Sequence, residues 1–420
     1  MRVVTDLHSH SRFARAVSKQ MTIPTLELWG EKKGVSVVGS GDFTHPAWNA
    51  ELKNDLEEEG NGLLRRKGSS SKTRFLLSSE ISCIFSRGAA VRRIHLLVLA
   101  PSFAVVDTLN ARLGLIGNLK ADGRPILGLD VIELVKIVRD VSPDCLVIPA
   151  HVWTPWFGMY GSKSGFDSIA DCFGDQLDFI PAVETGLSSD PPMNWRFAEL
   201  DTKAIVSFSD AHSAPNIGRE ATVLELGEPS FANIAAAFRV PFPTEQNANR
   251  IVQTVEFFPE EGMYHWDGHR NCDVRWSPAE TKKAKTICPR CGKPVTVGVM
   301  HRIDDLAPRP ADYRDERRPS VAHLVPLAEI IGSALGIGKL SKTVAREYDA
   351  LLKMFGNEME ILLNLPLGEF SRAAHPKTAE GLRRVRDGKL TILPGYDGVY
   401  GTVKVFSDEE LKATSQSTLL

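Results

Sequence analysis

Histidine and acidic residues recur in this chain at the ends of short apolar runs. VVTDLHSH ends in His8 and His10, and VSVVGSGD ends in Asp42, with His45 three residues further on. FLLSSE ends in Glu80, CLVIPAH in His151, FIPAVE in Glu184, and AIVSFSDAH in Asp210 and His212. His95 differs because it begins its run, HLLVL. Neutral imidazoles and carboxylates are the usual ligands of zinc, manganese and iron. On an extended strand, His-x-His puts both rings on one side of the pleat. A bridging carboxylate such as Glu80 can hold two cations about 4 Å apart, as in metal-assisted phosphoryl chemistry. So many separate runs ending alike point to one polynuclear metal centre.

A second set lies further along the chain. His265, His269, Cys272, Cys288 and Cys291 all fall between positions 265 and 291. CPRCGK places two thiolates on a tight turn, with Gly292 suited to left-handed backbone. His269-x-x-Cys272 has the same two-residue spacer. His269, Cys272, Cys288 and Cys291 make a Cys3His tetrahedron, and His265 could take the place of His269. Four protein ligands leave no open position, which reads as one structural zinc. The other cysteines, Cys83, Cys145 and Cys172, are scattered in apolar or helical surroundings and read as packing residues.

Distant positions meet only if the backbone gathers them. Up to about residue 240, seven apolar runs alternate with helical stretches. The runs are Val3–Val4, Val35–Val38, Phe75–Leu77, His95–Leu99, Leu146–Ile148, Phe179–Val183 and Ala204–Phe208. Between them lie stretches such as Thr22–Lys33, Phe103–Leu113, Asp130–Val141 and Phe166–Phe173. Alternation of this kind predicts a parallel α/β sheet, and seven runs predict a barrel. Strand C-termini of such a barrel converge on one rim, where active sites are built. Residues 60–72, GNGLLRRKGSSSK, read as a flexible surface loop, and 306–319, LAPRPADYRDERRP, as a linker. Leu324–Leu335 and Ser341–Phe355 carry helical apolar spacing, and the tail from Leu390 to Phe406 alternates like strand. The expected domains are therefore 1–245, 246–308 and 309–420.

Charge narrows the partners. Lys and Arg number 50 against 52 Asp and Glu, so bulk charge does not bind nucleic acid, and an anionic partner needs a local patch. No apolar run reaches the roughly 18 residues of a membrane helix, and an Asp and a His interrupt the first ten residues. The expectation is a cytoplasmic protein with no membrane partner.

The motifs DLHSHS, GSGD, SSEIS, RRIH, PAH and SDAHS resemble the successive motifs of the polymerase and histidinol phosphatase (PHP) family. The resemblance covers residues 1 to about 225. It implies a distorted (β/α)7 barrel holding two or three divalent metals (zinc, manganese or magnesium), followed here by a zinc ribbon and a mainly helical C-terminal domain. By motif, His8, His10, Glu80 and Asp210 match the ligands of one metal. Glu80, His95 and His151 match those of a second, and Asp42 and His212 match positions around a third. The chain departs from the family just after the first motif. Many members carry a His or Asp there, and here the stretch reads SRFARAVSK. Glu80, Asp210 and His212 are the residues implied in catalysis, with Asp210 or His212 orienting the attacking water.

The three-part arrangement, with GMYHWDGHRNC, CPRCGK and VPLAEIIGSALG after the barrel, resembles a DNA-repair branch of that family. Its members cut the phosphodiester on the 5′ side of deaminated bases (uracil, hypoxanthine, xanthine) and abasic sites. The implied partner is damaged DNA, duplex or single-stranded, and the implied location the nucleoid. Residues 281–320 carry ten Lys or Arg against five Asp or Glu, among them Lys282, Lys283, Arg290 and Lys293, which fits a phosphate-facing surface or a solvated one. Gly336-Ile337-Gly338-Lys339 suits backbone contact with phosphate, as in helix-hairpin-helix modules, or a simple helix cap and turn. Trp153, Trp156, Phe157, Tyr160 and Trp195 lie beyond His151 and Glu184, placed to stack on a base or to pack a loop. The competing readings are a phosphatase for small monoesters, a 3′–5′ exonuclease and a non-catalytic DNA-binding subunit; the extra 160 or so residues and the complete ligand set argue for the endonuclease.

Overall fold

A computed structural model of the chain describes residues 1–407 and 409–411. Its centre is an eleven-stranded mixed sheet. The path runs Ser320–His323, Arg250–Glu256, Ala221–Glu225, Arg2–Asp6, Val37–Gly39, Arg74–Arg87, Leu64–Arg66 and Leu56–Glu58. Ala90–Ala100 and then Leu146–Pro149 extend it from Arg74–Arg87, and the short strand Ile126–Leu127 also pairs with Arg74–Arg87. Ala182–Glu184 and Ala204–Val206 form a parallel pair of their own.

The expected parallel sheet forms only in part, and the sheet is mixed. Arg2–Asp6, Val37–Gly39 and Arg74–Arg87 are parallel, joined through helical connections. Arg74–Arg87 and Ala90–Ala100 are an antiparallel hairpin that turns at Gly88-Ala89. Two residues can join only antiparallel neighbours, and Gly88, at φ 63°, supplies the left-handed turn backbone. The hairpin also explains the exception seen in sequence. Its second strand runs backwards, so the start of the HLLVL run lies beside the advancing half of its partner, with His95 opposite Ser82.

The flanking helices follow the apolar spacing. Phe103–Leu113 and Val131–Val141 begin at Ser102 and Asp130, whose side chains accept backbone N–H groups of the first turn. Ile23–Lys33 ends at Gly34, at φ 83°. Two segments read as loose are not. Leu63 and Leu64 are buried, and Leu64–Arg66 pairs with Leu56–Glu58. In the stretch read as a linker, Arg309 is ion-paired with Asp201, and the buried Arg318 donates to the carbonyls of Lys203 and Leu200.

The sheet continues past residue 245 through Arg250–Glu256 and Ser320–His323. The C-terminal helices, including Leu327–Leu335, Lys342–Phe355 and Pro376–Arg386, bury Leu327, Ile330, Val344, Leu352, Ile361 and Leu382 together with Val223 and Val255 of that sheet. A buried ion pair, Lys33 Nζ to Glu358 Oε2 at 2.8 Å, fastens them to helix Ile23–Lys33. Among the described residues, no helix is long and apolar enough to cross a membrane.

Candidate active site

His8 and His10 lie just past strand Arg2–Asp6. The bridge between Ser9 and Ala211 holds that segment against Asp210 and His212. The structure brings His8, His10, Glu80 and Asp210 together, one ligand atom from each lying within 4.8 Å of the others, and does the same for Glu80, His95 and His151. Glu80 belongs to both sets and divides its oxygens between them. Its Oε2 lies 3.3 Å from His10 Nε2 and 3.7 Å from His8 Nε2. Its Oε1 lies 2.5 Å from His95 Nδ1 and 3.1 Å from His151 Nε2.

The backs of the rings are tied. His8 Nδ1 is 2.9 Å from Glu184 Oε1, and His10 Nδ1 is 3.0 Å from Asp42 Oδ1. A carboxylate behind Nδ1 fixes the proton there and leaves Nε2 as the free lone pair. His8 Nε2 is buried and has no hydrogen-bond partner, with Asp210 Oδ1 at 3.6 Å. A buried imidazole nitrogen with no partner costs energy unless something coordinates it. The donor set therefore fits a divalent cation.

Asp42 and His212 complete no third cluster among the described residues. Both Asp42 oxygens are committed, one to His10 and one to the backbone N–H of Ser11 at 2.6 Å. Asp42 thus stands behind the His10 ring. His212 places Nδ1 2.8 Å from the Asp210 carbonyl and its ring 4.8 Å from that of His10, with about a third of its side chain exposed. His45 caps helix Pro46–Asp55 and stacks on Phe13.

Asp42, His151 and Asp210 have φ of 48°, 31° and 45°. Left-handed backbone at a non-glycine residue costs about 1–3 kcal/mol and persists only where the surroundings impose it. Three such residues meet in one pocket, a feature the sequence does not announce.

Charge is balanced tightly. Burial works against the charged forms of His8 and His10, but the Glu184 and Asp210 carboxylates beside His8, and Asp42 beside His10, raise both well above the usual histidine value. Burial would raise Glu80, but His95 and Arg124 hold it well below the carboxylate range. Burial likewise opposes charge on Asp210, and His8 and His10 hold it low. Burial takes His95 down to about 4. Protons here occupy places between carboxylates that a cation would take over.

Arg124, which the sequence reading passed over, points into this cluster. Nη1 donates to Glu80 Oε2 at 3.0 Å, and the side chain is 26% exposed. Its loop is pinned: Asp122 Oδ1 accepts from the N–H of Arg15 and of Arg124, and Gly123 N–H donates to the Phe13 carbonyl. A Cβ on Gly123 would lie 2.3 Å from Asp42 Oδ2. Nothing in ADGRP announces this contact, because the loop has neither periodicity nor a ligand motif.

The aromatic group separates. Trp153, Tyr160 and Trp195 are buried, with Trp153 donating to Asn194 and stacked on Tyr160. Trp156 remains exposed against Tyr264, and Phe157 lies over His95.

Comparison with known proteins gives this geometry a context. The MJ0043 C-terminal domain matches residues 326–389. MJ0043 of Methanocaldococcus jannaschii is 34% identical over 260 residues, 60% of this chain, and the chain spans only 31% of that protein. YqxK of Bacillus subtilis is 31% identical over 96% of this chain and 99% of its own length. The crystal structure of the lesion-specific endonuclease PfuEndoQ from Pyrococcus furiosus is similar with a TM-score of 0.84 and 29% identity, over 98% of this chain and 99% of that one. An endonuclease Q complexed with a 27-mer duplex carrying an abasic lesion at its active site gives 0.85 and 30%, over 98% of each chain. The chain belongs to the endonuclease Q family.

In this member of the endonuclease Q family a second ligand cluster stands apart from the first. His269, Cys272, Cys288 and Cys291 lie within 4.8 Å of one another. His265 is elsewhere, buried with Nδ1 near the Ser188 carbonyl. Gly292, at φ 71°, returns its N–H to the Cys288 carbonyl and closes the turn. Burial opposes ionisation of Cys288, but the backbone N–H groups of Arg290 and Cys291 bring its thiol down to about 6. The cluster is clamped by the C-terminal hairpin: Arg270 N–H donates to Asp397 Oδ2, and Tyr396 OH to Asp273 Oδ1.

The basic stretch divides by role. Arg302, Arg309, Arg317 and Arg318 are spent on Asp167, Asp201 and Asp315. Lys282 pairs with Asp305. Lys283, Arg290 and Lys293 are exposed on the cysteine-bearing module. Gly336, at φ 66°, caps helix Leu327–Leu335, and the next helix starts at its own cap, Ser341. Lys339 reaches back to Glu329, and nothing lies near Gly336 or Gly338 on the Cβ side.

Proposed function

We propose that this chain is a metal-dependent endonuclease of DNA repair that hydrolyses the phosphodiester 5′ to deaminated bases (uracil, hypoxanthine, xanthine) and to abasic sites. One observation carries the reading: a single buried carboxylate, Glu80, turns one oxygen to each of two ligand clusters. It is supported by likeness over 98% of the chain to an endonuclease solved with an abasic duplex.

In this reading His8, His10 and Asp210 would hold one divalent cation and His95 and His151 a second, with Glu80 offering one oxygen to each set. Zinc, manganese and magnesium are the candidates. Cations there supply an acidified water and charge neutralisation for the phosphoryl group. Glu184 and Asp42 keep His8 and His10 in the ligating tautomer. His212, part-exposed beside Asp210, is placed to accept or return a proton at the rim. Arg2–Asp6, Val37–Gly39, Arg74–Arg87, Ala90–Ala100 and Leu146–Pro149 of the sheet, with the pair Ala182–Glu184 and Ala204–Val206 and the covering helices, make up the distorted seven-stranded PHP barrel, and the Cys3His cluster holds one structural zinc. Lys283, Arg290 and Lys293, with the turn at Gly336 and Gly338, face the duplex backbone. Trp156 and Phe157 flank the extruded lesion, since a damaged nucleotide leaves the stack most easily.

The test is a labelled duplex carrying one deoxyinosine, deoxyuridine or abasic site, with manganese, magnesium or zinc added and the break mapped on a sequencing gel. A single nick 5′ to the lesion is expected, lost in D210N. Hydrolysis of small phosphomonoesters, or stepwise removal from 3′ ends, with intact lesion duplex would overturn the reading in favour of a phosphatase or exonuclease.

A further inference from the structure

Arg124 is unusual among the charged residues of the site. It is held by a pinned loop, not by a strand, and its guanidinium enters a cluster otherwise built of imidazoles and acids. Only one of its guanidinium N–H groups has an acceptor among the described residues, Glu80 Oε2 at 3.0 Å. The charge count asks why it is there. Asp42, Glu80, Glu184 and Asp210 carry four negative charges around the two clusters. Two divalent cations would balance them. The guanidinium would then be additional positive charge in a largely buried pocket, open to an anionic group that arrives at the cations. A phosphodiester brings one negative charge and non-bridging oxygens, which the planar fork of an arginine fits.

We propose that Arg124 is a catalytic residue whose guanidinium holds a non-bridging oxygen of the scissile phosphate beside Glu80. The inference rests on the nuclease reading above. In the transition state the charge on those oxygens grows, and a donor aimed at them binds that state more strongly than the substrate. The loop geometry keeps the donor in place beforehand. Asp122 holds the Arg124 backbone, the Ser82 N–H donates to the Pro125 carbonyl, and Gly123 fits where a Cβ would strike Asp42. A guanidinium present only to neutralise Glu80 would become redundant once cations sit there.

The test compares the parent with R124A and R124K, all as metal-loaded full chains. Three quantities are read: the single-turnover rate on an abasic duplex, the metal content by mass spectrometry, and the affinity for a pre-nicked duplex with and without a terminal phosphate at the cut. R124A should lose roughly 100-fold in rate, in line with removal of one preorganised donor. Its metal content should match the parent's, and the parent's preference for the phosphate-bearing nick should disappear. R124K, which keeps the charge without the fork, should fall between. A rate within threefold of the parent, an unchanged phosphate preference, or a lowered metal content in R124A overturns the proposal. The last result would make Arg124 a support for Glu80 alone. Failure of the nuclease reading shows differently, in a parent that cuts nothing.

Discussion

Glu184 accepts His8 Nδ1–H at 2.9 Å through Oε1 and the backbone N–H of His151 at 2.8 Å through Oε2. One fully buried carboxylate therefore orients a residue from each of the two ligand clusters.

The first prediction follows from that sharing. E184Q keeps the shape but loses the charge that fixes His8 in its ligating tautomer. Loss of such a partner typically costs 10–100-fold in metal affinity. Both cations should bind more weakly in E184Q, read by competition with a chelating dye, while circular dichroism stays that of the parent. Parent-like affinity at both sites would show that Glu184 does no more than pack.

The cysteine-bearing module should depend on its own metal. C288S removes the thiol that the Arg290 and Cys291 N–H groups hold near 6. One zinc per chain should be lost, and protease sensitivity should rise between residues 267 and 296, where the short hairpin and the turn have little apolar core beyond Val274, Cys288 and Val295. The histidine–carboxylate centre should keep its metals. Unchanged zinc content in C288S would remove the structural-zinc assignment.

Stability should fall as pH rises, partly through Glu220. Burial, and then the Glu256 carboxylate beside it, raises Glu220 well above its ordinary 4.5. Between 4.5 and that raised value the folded chain keeps a proton the unfolded chain has released, so the stabilisation present below 4.5 is lost as pH climbs. E220Q removes this proton from the balance. Melting scans from pH 5 to 8 should show a smaller drop in Tm for E220Q than for the parent, and equal slopes would refute the assignment.

Breaking the ion pair between Lys33 and Glu358 from one side should cost several kcal/mol. Both side chains are about 5% exposed or less, and Glu358 also accepts from Tyr348 OH at 2.6 Å and from the Leu327 N–H. Breaking a buried pair from one side typically costs about 3–5 kcal/mol, because a charge is left unmatched. E358Q should show that loss in urea unfolding, and K33M/E358Q should recover part of it. A loss below about 1 kcal/mol would mean that the helices hold to the sheet by apolar contact alone.

The clustering side chains were legible in the sequence because chemistry and periodicity coincide there. His8, His10, Glu80, His151 and Asp210 each follow or close an apolar run; His8, His10, His151 and Asp210 lie just past strand ends, whereas Glu80 sits in the middle of the long strand Arg74–Arg87. The Cys3His cluster was legible because its spacers are local. Helices such as Phe103–Leu113 and Val131–Val141 were legible from apolar spacing and capping residues.

What the sequence could not settle depends on pairing across long separations. Strand direction was one such case, since the Gly88-Ala89 turn reverses the sheet and brings His95 in from the other side. The roles of Asp42 and Glu184 were another: an acid at a strand end looks the same whether it faces a cation or the back of a ligand ring. Arg124 was the extreme case, a lone arginine on a pinned loop whose partner stands 44 positions earlier. The amino-acid sequence by itself determined which groups can coordinate and which segments can be helix or strand, because those are properties of residue type and local spacing. Only the tertiary structure decided which oxygen faces which nitrogen, because hydrogen bonds and charge balance depend on distances that folding alone sets.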